Sequence, residues 1–373
     1  MKHISTTSLH DSIMENDVVT QLSDSPLFSL PIELIQEITT YLSPYEAASF
    51  SLCSHNIYYT IGSLHLSAYL SSPKTKLERR QHLEVIERAF PTHWYCAWCD
   101  RFHKLEPGTG PTMLNEEESK RDCTEHCSYL HYNRQYVLTY HHIRLAMNRH
   151  LWGPGHGIPL SDLHYDHKST ASIFRTQYPI SVTLIPRIVS SNLLLYSAFS
   201  IELPENMLCK KGLWTALFPY IPHIVAGHRN DREGHTGLKY QAKLQLQNPR
   251  SRSIQLCSVC ATDYLVTVAP RFPSPLEYTP TSAISSVITG PSSSSVTSYW
   301  ILKIEAWRDL GGCRNPFSSC WRAHGEIGNG FEGYGGDLMR LAGCETGSIR
   351  GEYERGGWEG ENSGSDREGP RNA

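Results

Sequence analysis

The chain has 373 residues and a formal net charge of −3 at pH 7, and 39% of its residues are hydrophobic and 19% charged. This length allows a small module together with a larger domain that buries its own core. The nearly neutral charge excludes the basic field that draws proteins to nucleic acid. No run of about 18 apolar residues occurs, so the sequence predicts no membrane-spanning helix. We therefore expect neither nucleic acid nor a membrane as a partner.

The chain contains 11 cysteines, an odd number. Its first residues lack the apolar segment that follows the positive charge of a secretory signal. Both features favour reduced thiols or metal ligands over disulfides. We therefore expect the protein to be cytoplasmic, nuclear or both.

Composition divides the chain into four predicted segments. Residues 1–26 are rich in Ser, Thr and Asp and are predicted to be a disordered tail. Residues 27–63 have the pattern of a compact helical module. Residues 64–322 are predicted to form a larger mixed domain with a Ser/Pro-rich loop at 271–298. Residues 323–373 are rich in Gly and charge and are predicted to be disordered. The predicted fold class is α+β.

The module begins with an amphipathic helix over residues 31–42. On a helical wheel its bulky apolar side chains fall within an arc of about 120°. Pro31 suits the first helical position, where a missing N–H is harmless. The arc consists of Leu34, Ile35, Ile38, Tyr41 and Leu42.

A second helix follows a strong start signal. Ser43 is a capping residue, Pro44 suits the first helical position, and Glu46 completes a capping box. This helix is built from small residues, and Ser54 is placed to cap a third helix. A unit of fewer than about 40 residues is seldom stable on its own core. The apolar arc is therefore expected to pack either against the rest of the chain or into a partner's groove.

The stretch LPIELIQEITTYLSPYEAASFSLCS, residues 30–54, resembles an F-box. The resemblance implies a three-helix module that docks on the Skp adaptor of Skp–cullin–F-box ubiquitin ligases and, through it, on cullin. The alternative is an ordinary helical hairpin folded into the chain's own core. The resemblance places the following residues at or near the Skp interface: Leu30, Pro31, Leu34, Ile35, Ile38, Leu42 and Pro44.

The rest of the chain resembles, more loosely, a group of fungal F-box proteins of unassigned substrate. The pieces that carry this likeness are YCAWCDRFH, LCSVCATDYLV and EAWRDLGGCRNPF. The predicted function is an adaptor, not an enzyme, that recruits an unknown protein client for ubiquitination. Two alternatives stay open. One is a Skp-binding, zinc-stabilised interaction protein that acts outside a ligase, and the other is an enzyme that uses the C-x-x-C thiols.

Two C-x-x-C pairs, Cys96/Cys99 and Cys257/Cys260, each have the ligand spacing of half a zinc site. Together they offer four thiolates to one structural zinc ion, although more chain separates them than in a compact zinc ribbon. His103 is an alternative ligand beside the first pair. The interpretation without metal is that these cysteines are small buried hydrophobes near strand ends. A further possible half-site consists of Cys123, His126 and Cys127.

Secondary-structure signals in the larger domain are local. Ser72 and Pro73 have the pattern of a helix start, and that helix is predicted to run to residue 90. Strand-like runs separated by Pro occupy 176–203, and further strands are predicted within 254–269 and 298–310. Three histidines on a predicted helix, which lack a complete metal motif, are interpreted as packing or surface residues. They are His141, His142 and His150.

Overall fold

The computed structural model describes most of two compact units, Met1–Phe90 and Pro91–Ala373. The predicted N-terminal tail, as far as residue 25, and residues 272–297 of the predicted Ser/Pro-rich loop lie outside the described residues. Those described are 26–73, 75–97, 99–106, 108–112, 129–132, 135–227, 234–249, 252–257, 259–271, 298–316, 318–325 and 344–356.

The first unit is helical throughout its described residues. A 3₁₀ turn at Pro26–Ser29 precedes five α-helices in this described part. The predicted module boundary at residue 63 therefore falls inside the unit, which continues to Phe90. The helices are α1 (Ile32–Tyr41), α2 (Pro44–Ser51), α3 (His55–Ile61), α4 (Leu64–Ser71) and α5 (Lys76–Ala89).

Caps set the helix boundaries of this unit. The Ser43 hydroxyl accepts the Glu46 N–H, and the Glu46 carboxylate accepts the Ser43 N–H, which confirms the predicted capping box of α2. Pro31 is the N-cap of α1 and not its first helical residue. The predicted start of α5 at Ser72 and Pro73 is wrong, because Thr75 forms the capping box that starts this helix.

The second unit combines strands and helices, which confirms the predicted α+β class. Its strands are β1 (His93–Cys96), β2 (Arg101–Lys104), β3 (Tyr129–Tyr132), β4 (Tyr136–Thr139), β5 (Tyr165–Ile173), β6 (Thr176–Val189), β7 (Asn192–Pro204), β8 (Gln255–Leu256), β9 (Thr262–Pro270) and β10 (Tyr299–Asp309). Its helices are α6 (Tyr140–Trp152), α7 (Glu205–Leu208), α8 (Leu213–Leu217), α9 (His223–Ala226), α10 (Leu238–Gln247), α11 (Ser319–Gly325) and α12 (Ser348–Arg355). Two 3₁₀ turns lie at Leu160–Leu163 and Phe218–Tyr220.

An antiparallel sheet of six described strands, in the order β5-β6-β7-β10-β9-β8, organises this unit. Two separate antiparallel pairs are formed by β1 with β2 and by β3 with β4. Strand β6 continues through Pro186, although the prolines in this region were expected to separate strands. On the β5 side Pro186 lies beyond Leu184, the last β6 residue that pairs there, so its missing N–H is tolerated.

One face of the large sheet carries the main hydrophobic core. Side chains of five strands of the sheet, β5, β6, β7, β9 and β10, pack there with apolar residues from helices α6 to α10. Phe199, Val266 and Ile304 are among them. The alternation of side chains along a strand places their neighbours on the opposite face. That opposite face carries Leu265 and Trp307, which belong to a separate, smaller cluster.

Helix α12 covers part of this second face and corrects the prediction of disorder for residues 323–373 over the segment that it occupies. Its buried side chains Ile349 and Tyr353 pack with Leu265 and Trp307. The buried Asp263 carboxylate accepts the N–H groups of two residues at the start of the helix, at 2.9 and 3.0 Å. Helix α11 also continues past the predicted domain boundary at residue 322, to Gly325. Residues 326–343 and 357–373 lie outside the described part of the chain.

Candidate functional site

One edge of the apolar arc of α1 is buried inside the first unit. Ile35 is 6% exposed, and Thr39, one turn later, is 4% exposed. This edge faces α2 and α3, where Ala47 and Ile57 are also buried. The small side chains of α2 let the helices approach closely, as their composition predicts. This part of the arc therefore stabilises the unit itself.

The other edge of the arc is open. Leu34 is 46% exposed and Tyr41 is 80% exposed, although both are large and apolar. Ile38 and Leu42 lie between the two edges and are half-buried. Ile32, which the predicted contact set did not include, is 57% exposed. Leu34 and Tyr41 thus leave one edge of the apolar arc uncovered, whereas Ile32 lies on a different side of the helix.

The structure sorts the seven predicted contact residues into three groups. Pro31, Leu34 and Pro44 are exposed, while Leu30, Ile38 and Leu42 are half-buried. Ile35 lies in the core of the unit and packs internally, and its predicted contact with Skp stays a prediction. Sequence periodicity missed two exposed apolar residues, Ile32 at the start of α1 and Tyr45 at the start of α2.

Residues 27–68 match the family model of the F-box domain. The chain contains an F-box domain. Such a domain has a general role in substrate adaptors of Skp–cullin–F-box ligases, in which it binds the Skp subunit, and F-box proteins are generally adaptors, not enzymes. No curated protein and no solved structure matches the chain. Among the described helices, none has the length and apolar character needed to cross a membrane.

The second unit brings each predicted C-x-x-C pair together with a histidine. Cys96 and Cys99 lie with His103, and their ligand atoms are all within 4.8 Å of one another. We call this group the hairpin cluster, because it lies on the β1–β2 hairpin. The further half-site predicted at Cys123, His126 and Cys127 lies outside the described residues.

The second group, which we call the core cluster, consists of Cys257, Cys260 and His235. All are at most 3% exposed. The two C-x-x-C pairs therefore form separate groups and do not share one four-sulfur site in this structure. Sequence spacing missed His235, because this residue lies in the turn before α10 and is distant in sequence from the two cysteines that it contacts in the fold.

Hydrogen bonds surround the core cluster. The Cys260 sulfur lies 3.0 Å from the Thr262 hydroxyl and 3.8 Å from Nδ1 of His235. Burial is the main reason that the pKa of the Cys260 thiol lies well above its usual value. In the absence of a metal ion this thiol is therefore neutral at pH 7.

A fully buried arginine adjoins the core cluster. The Arg308 guanidinium donates to the carbonyls of Ile224 and Gly227 at 3.0 and 2.7 Å and lies 3.3 Å from Nε2 of His235. Sequence patterns gave no indication of this residue, because an arginine in a strand is normally a surface residue. Its position explains how the α9 region and the core cluster are held to β10.

The α6 histidines are packing or surface residues in this structure. His141 is buried, stacks on Trp94 with ring centroids 5.3 Å apart, and lies 2.6 Å from the Thr139 hydroxyl. Nδ1 of His142 accepts the Thr139 N–H at the helix start. His150 is exposed. None of the three belongs to a group of possible metal ligands among the described residues.

Proposed function

We propose that the first unit docks on the Skp adaptor of a Skp–cullin–F-box ligase through the open edge of α1. The second unit then recruits a protein client for ubiquitination. The observation that carries this proposal is the coincidence of the F-box match with a helix whose one edge is buried and whose other edge exposes Leu34 and Tyr41.

This function needs no catalytic residue in the chain. A ligase brings client lysines near an activated ubiquitin, and the gain in rate comes from effective concentration and orientation. The client follows from neither fold nor docking module, because function lies in sites grafted on folds. The resemblance to fungal F-box proteins and the cytoplasmic or nuclear location stay predictions.

Substitution of Leu34 by Asp tests the docking surface. Leu34 lies in the first turn of α1, where a carboxylate is compatible with the helix dipole, so the fold is expected to survive. Burial of an unpaired carboxylate in the interface reduces the binding free energy by several kcal/mol, because the charge loses its hydration. Because about 1.4 kcal/mol is a factor of ten, Skp binding by the full chain is expected to weaken more than about 100-fold in calorimetry.

Thr40 provides the matched control. It lies on the same helix, is exposed, and faces away from the apolar arc. Thr40→Asp therefore introduces the same charge and is expected to leave binding within a few-fold of wild type. Undiminished binding by Leu34→Asp would remove the proposal. Ile38→Asp is less decisive, because Ile38 is half-buried in the unit and its substitution would also disturb the fold.

The alternative, a zinc-stabilised interaction protein that uses Skp outside a ligase, is favoured by the two Cys/His groups of the second unit. Co-purification separates the two functions. Capture of cullin together with Skp supports the ligase adaptor, whereas capture of Skp without cullin supports the alternative.

A further inference from the structure

The hairpin cluster is built by strand register. In the β1–β2 pair Trp94 lies opposite His103, and Cys96 lies opposite Arg101. Side chains alternate between the two faces of a strand pair, so Cys96 and His103 share one face. Asp100 has a φ of 54°, and this left-handed turn residue follows Cys99 directly in the tight connection. The turn brings the Cys99 sulfur back to the same face.

A buried nitrogen distinguishes this cluster. Nε2 of His103 is shielded from solvent and has no hydrogen-bond partner among the described residues. A buried polar atom of this kind needs a proton acceptor, a donor or a metal. Both cysteine sulfurs lie within 4.8 Å of a nitrogen of the same imidazole ring, so a metal ion is the partner for which these three side chains are already arranged.

The donor set selects the metal. Two thiolates and an imidazole are the soft and intermediate ligands that zinc prefers, and C-x-x-C on a tight turn is its usual half-site. On binding, the two thiols release their protons and the imidazole stays neutral, so the ion and its three protein ligands have no net charge. Cys99 and His103 are half-buried, so an ion can reach the cluster from solvent.

The core cluster is a poorer candidate. A guanidinium always donates, so the 3.3 Å contact from Arg308 favours a lone pair on Nε2 of His235 and a proton on Nδ1. Nδ1 is the nitrogen that faces the Cys260 sulfur, and a protonated nitrogen cannot bind a metal. The buried Arg308 cation also opposes a second cation nearby.

We propose that Cys96, Cys99 and His103 bind a zinc ion that fixes the β1–β2 hairpin. Each strand of this hairpin has four residues. A two-stranded ribbon of that length gains little from its own hydrogen bonds. The ion joins the end of β1, the turn and the middle of β2, so it replaces the stabilisation that a third strand would give.

Zinc content of the purified full chain tests the proposal. Wild type is expected to retain zinc through gel filtration and a weak chelator. Cys99→Ser is expected to lose it, whereas Cys209→Ser, which changes an exposed cysteine outside both clusters, is expected to retain it. Wild type without zinc after reconstitution, or Cys99→Ser with the wild-type zinc content, would overturn the assignment.

Two further variants cover the case in which Cys99→Ser fails to fold. His103→Cys keeps three donors and is expected to bind Co²⁺ with a stronger thiolate-to-cobalt absorption than wild type. An unchanged spectrum would exclude His103 as a ligand. Cys257→Ser is expected to retain the wild-type Co²⁺ spectrum, and loss of the thiolate bands in this variant would move the site to the core cluster. None of these measurements depends on Skp binding.

Discussion

Ile35 and Leu34 are adjacent in sequence but lie at opposite edges of the apolar arc of α1, and their environments in the structure differ. Ile35 packs inside the first unit, whereas nearly half of Leu34 faces solvent. Truncation of each residue to alanine should therefore affect different measurements. Ile35→Ala should destabilise the unit, and Leu34→Ala should weaken docking on Skp.

The magnitudes follow from the exposed fractions. Removal of a buried Ile side chain to Ala costs about 2–5 kcal/mol. A Leu gains about 1.5–3 kcal/mol on complete burial, so the exposed half of Leu34 offers a partner about 0.8–1.5 kcal/mol. Leu34→Ala is thus expected to weaken binding about 4- to 12-fold. Its own destabilisation should be about 1 kcal/mol, because only the other half is packed.

Two assays on the full chain separate these effects. Native-state hydrogen exchange of amides in α1 and α3 reports the stability of the first unit. Calorimetric titration with Skp, at a temperature where both variants remain folded, reports docking. If Ile35→Ala left exchange unchanged and abolished binding, Ile35 would belong to the interface, and the division of the arc would be refuted.

Three further changes test other parts of the structure. Asp263→Ala removes the acceptor of two N–H groups at the start of α12 and should cost about 1.5–3 kcal/mol, with faster hydrogen exchange in that helix. Hydrogen bonds from Ser43 lower the pKa of Glu46, so their stabilisation is present above the ordinary pKa and is lost as pH falls through the lowered one; Glu46→Gln should flatten the acid limb of an unfolding titration. Deletion of residues 324–373 also removes α12 and should destabilise the second unit, as urea unfolding would show, while Skp capture persists.

The start of α2, inside the F-box module, was predictable because its signals are local. Ser43, Pro44 and Glu46 act within one turn of helix, and the structure has the predicted capping box. The same kind of signal gave a wrong start for α5. Ser72 and Pro73 offered a plausible cap, but Thr75 has a Glu three residues later and forms the reciprocal pair of hydrogen bonds.

Helix α12 was not predictable from its own sequence. The segment 348–355 is short, mostly polar and flanked by glycines, and such a composition is typical of disordered segments. The helix is stabilised by contacts distant in sequence. Arg187 donates to the Tyr353 carbonyl at 2.9 Å and its guanidinium lies over the Tyr353 ring. Tertiary contacts of this kind override a weak local propensity.

The cysteine pairs show the limit of spacing arguments. Identical C-x-x-C motifs suggested one shared ion, because spacing describes which thiols can act together within a turn but not which turns meet in the fold. Strand pairing decides the second question. Cys96 precedes the turn of the β1–β2 pair, whereas Cys257 and Cys260 lie between β8 and β9 of the large sheet. Each pair therefore meets a different histidine.

A helical wheel has the same limit at the docking surface. It places the apolar side chains of α1 in one sector and contains no information on what covers each part of that sector. The positions of α2 and α3 divide this sector. They bury the edge that contains Ile35 and leave the edge that contains Leu34 and Tyr41 exposed to solvent. Residues that stabilise the unit thus lie beside residues free for a partner. The residues that contact a partner are therefore expected at the exposed edge of the sector. Apolar periodicity locates the sector as a whole and does not identify which of its residues make that contact.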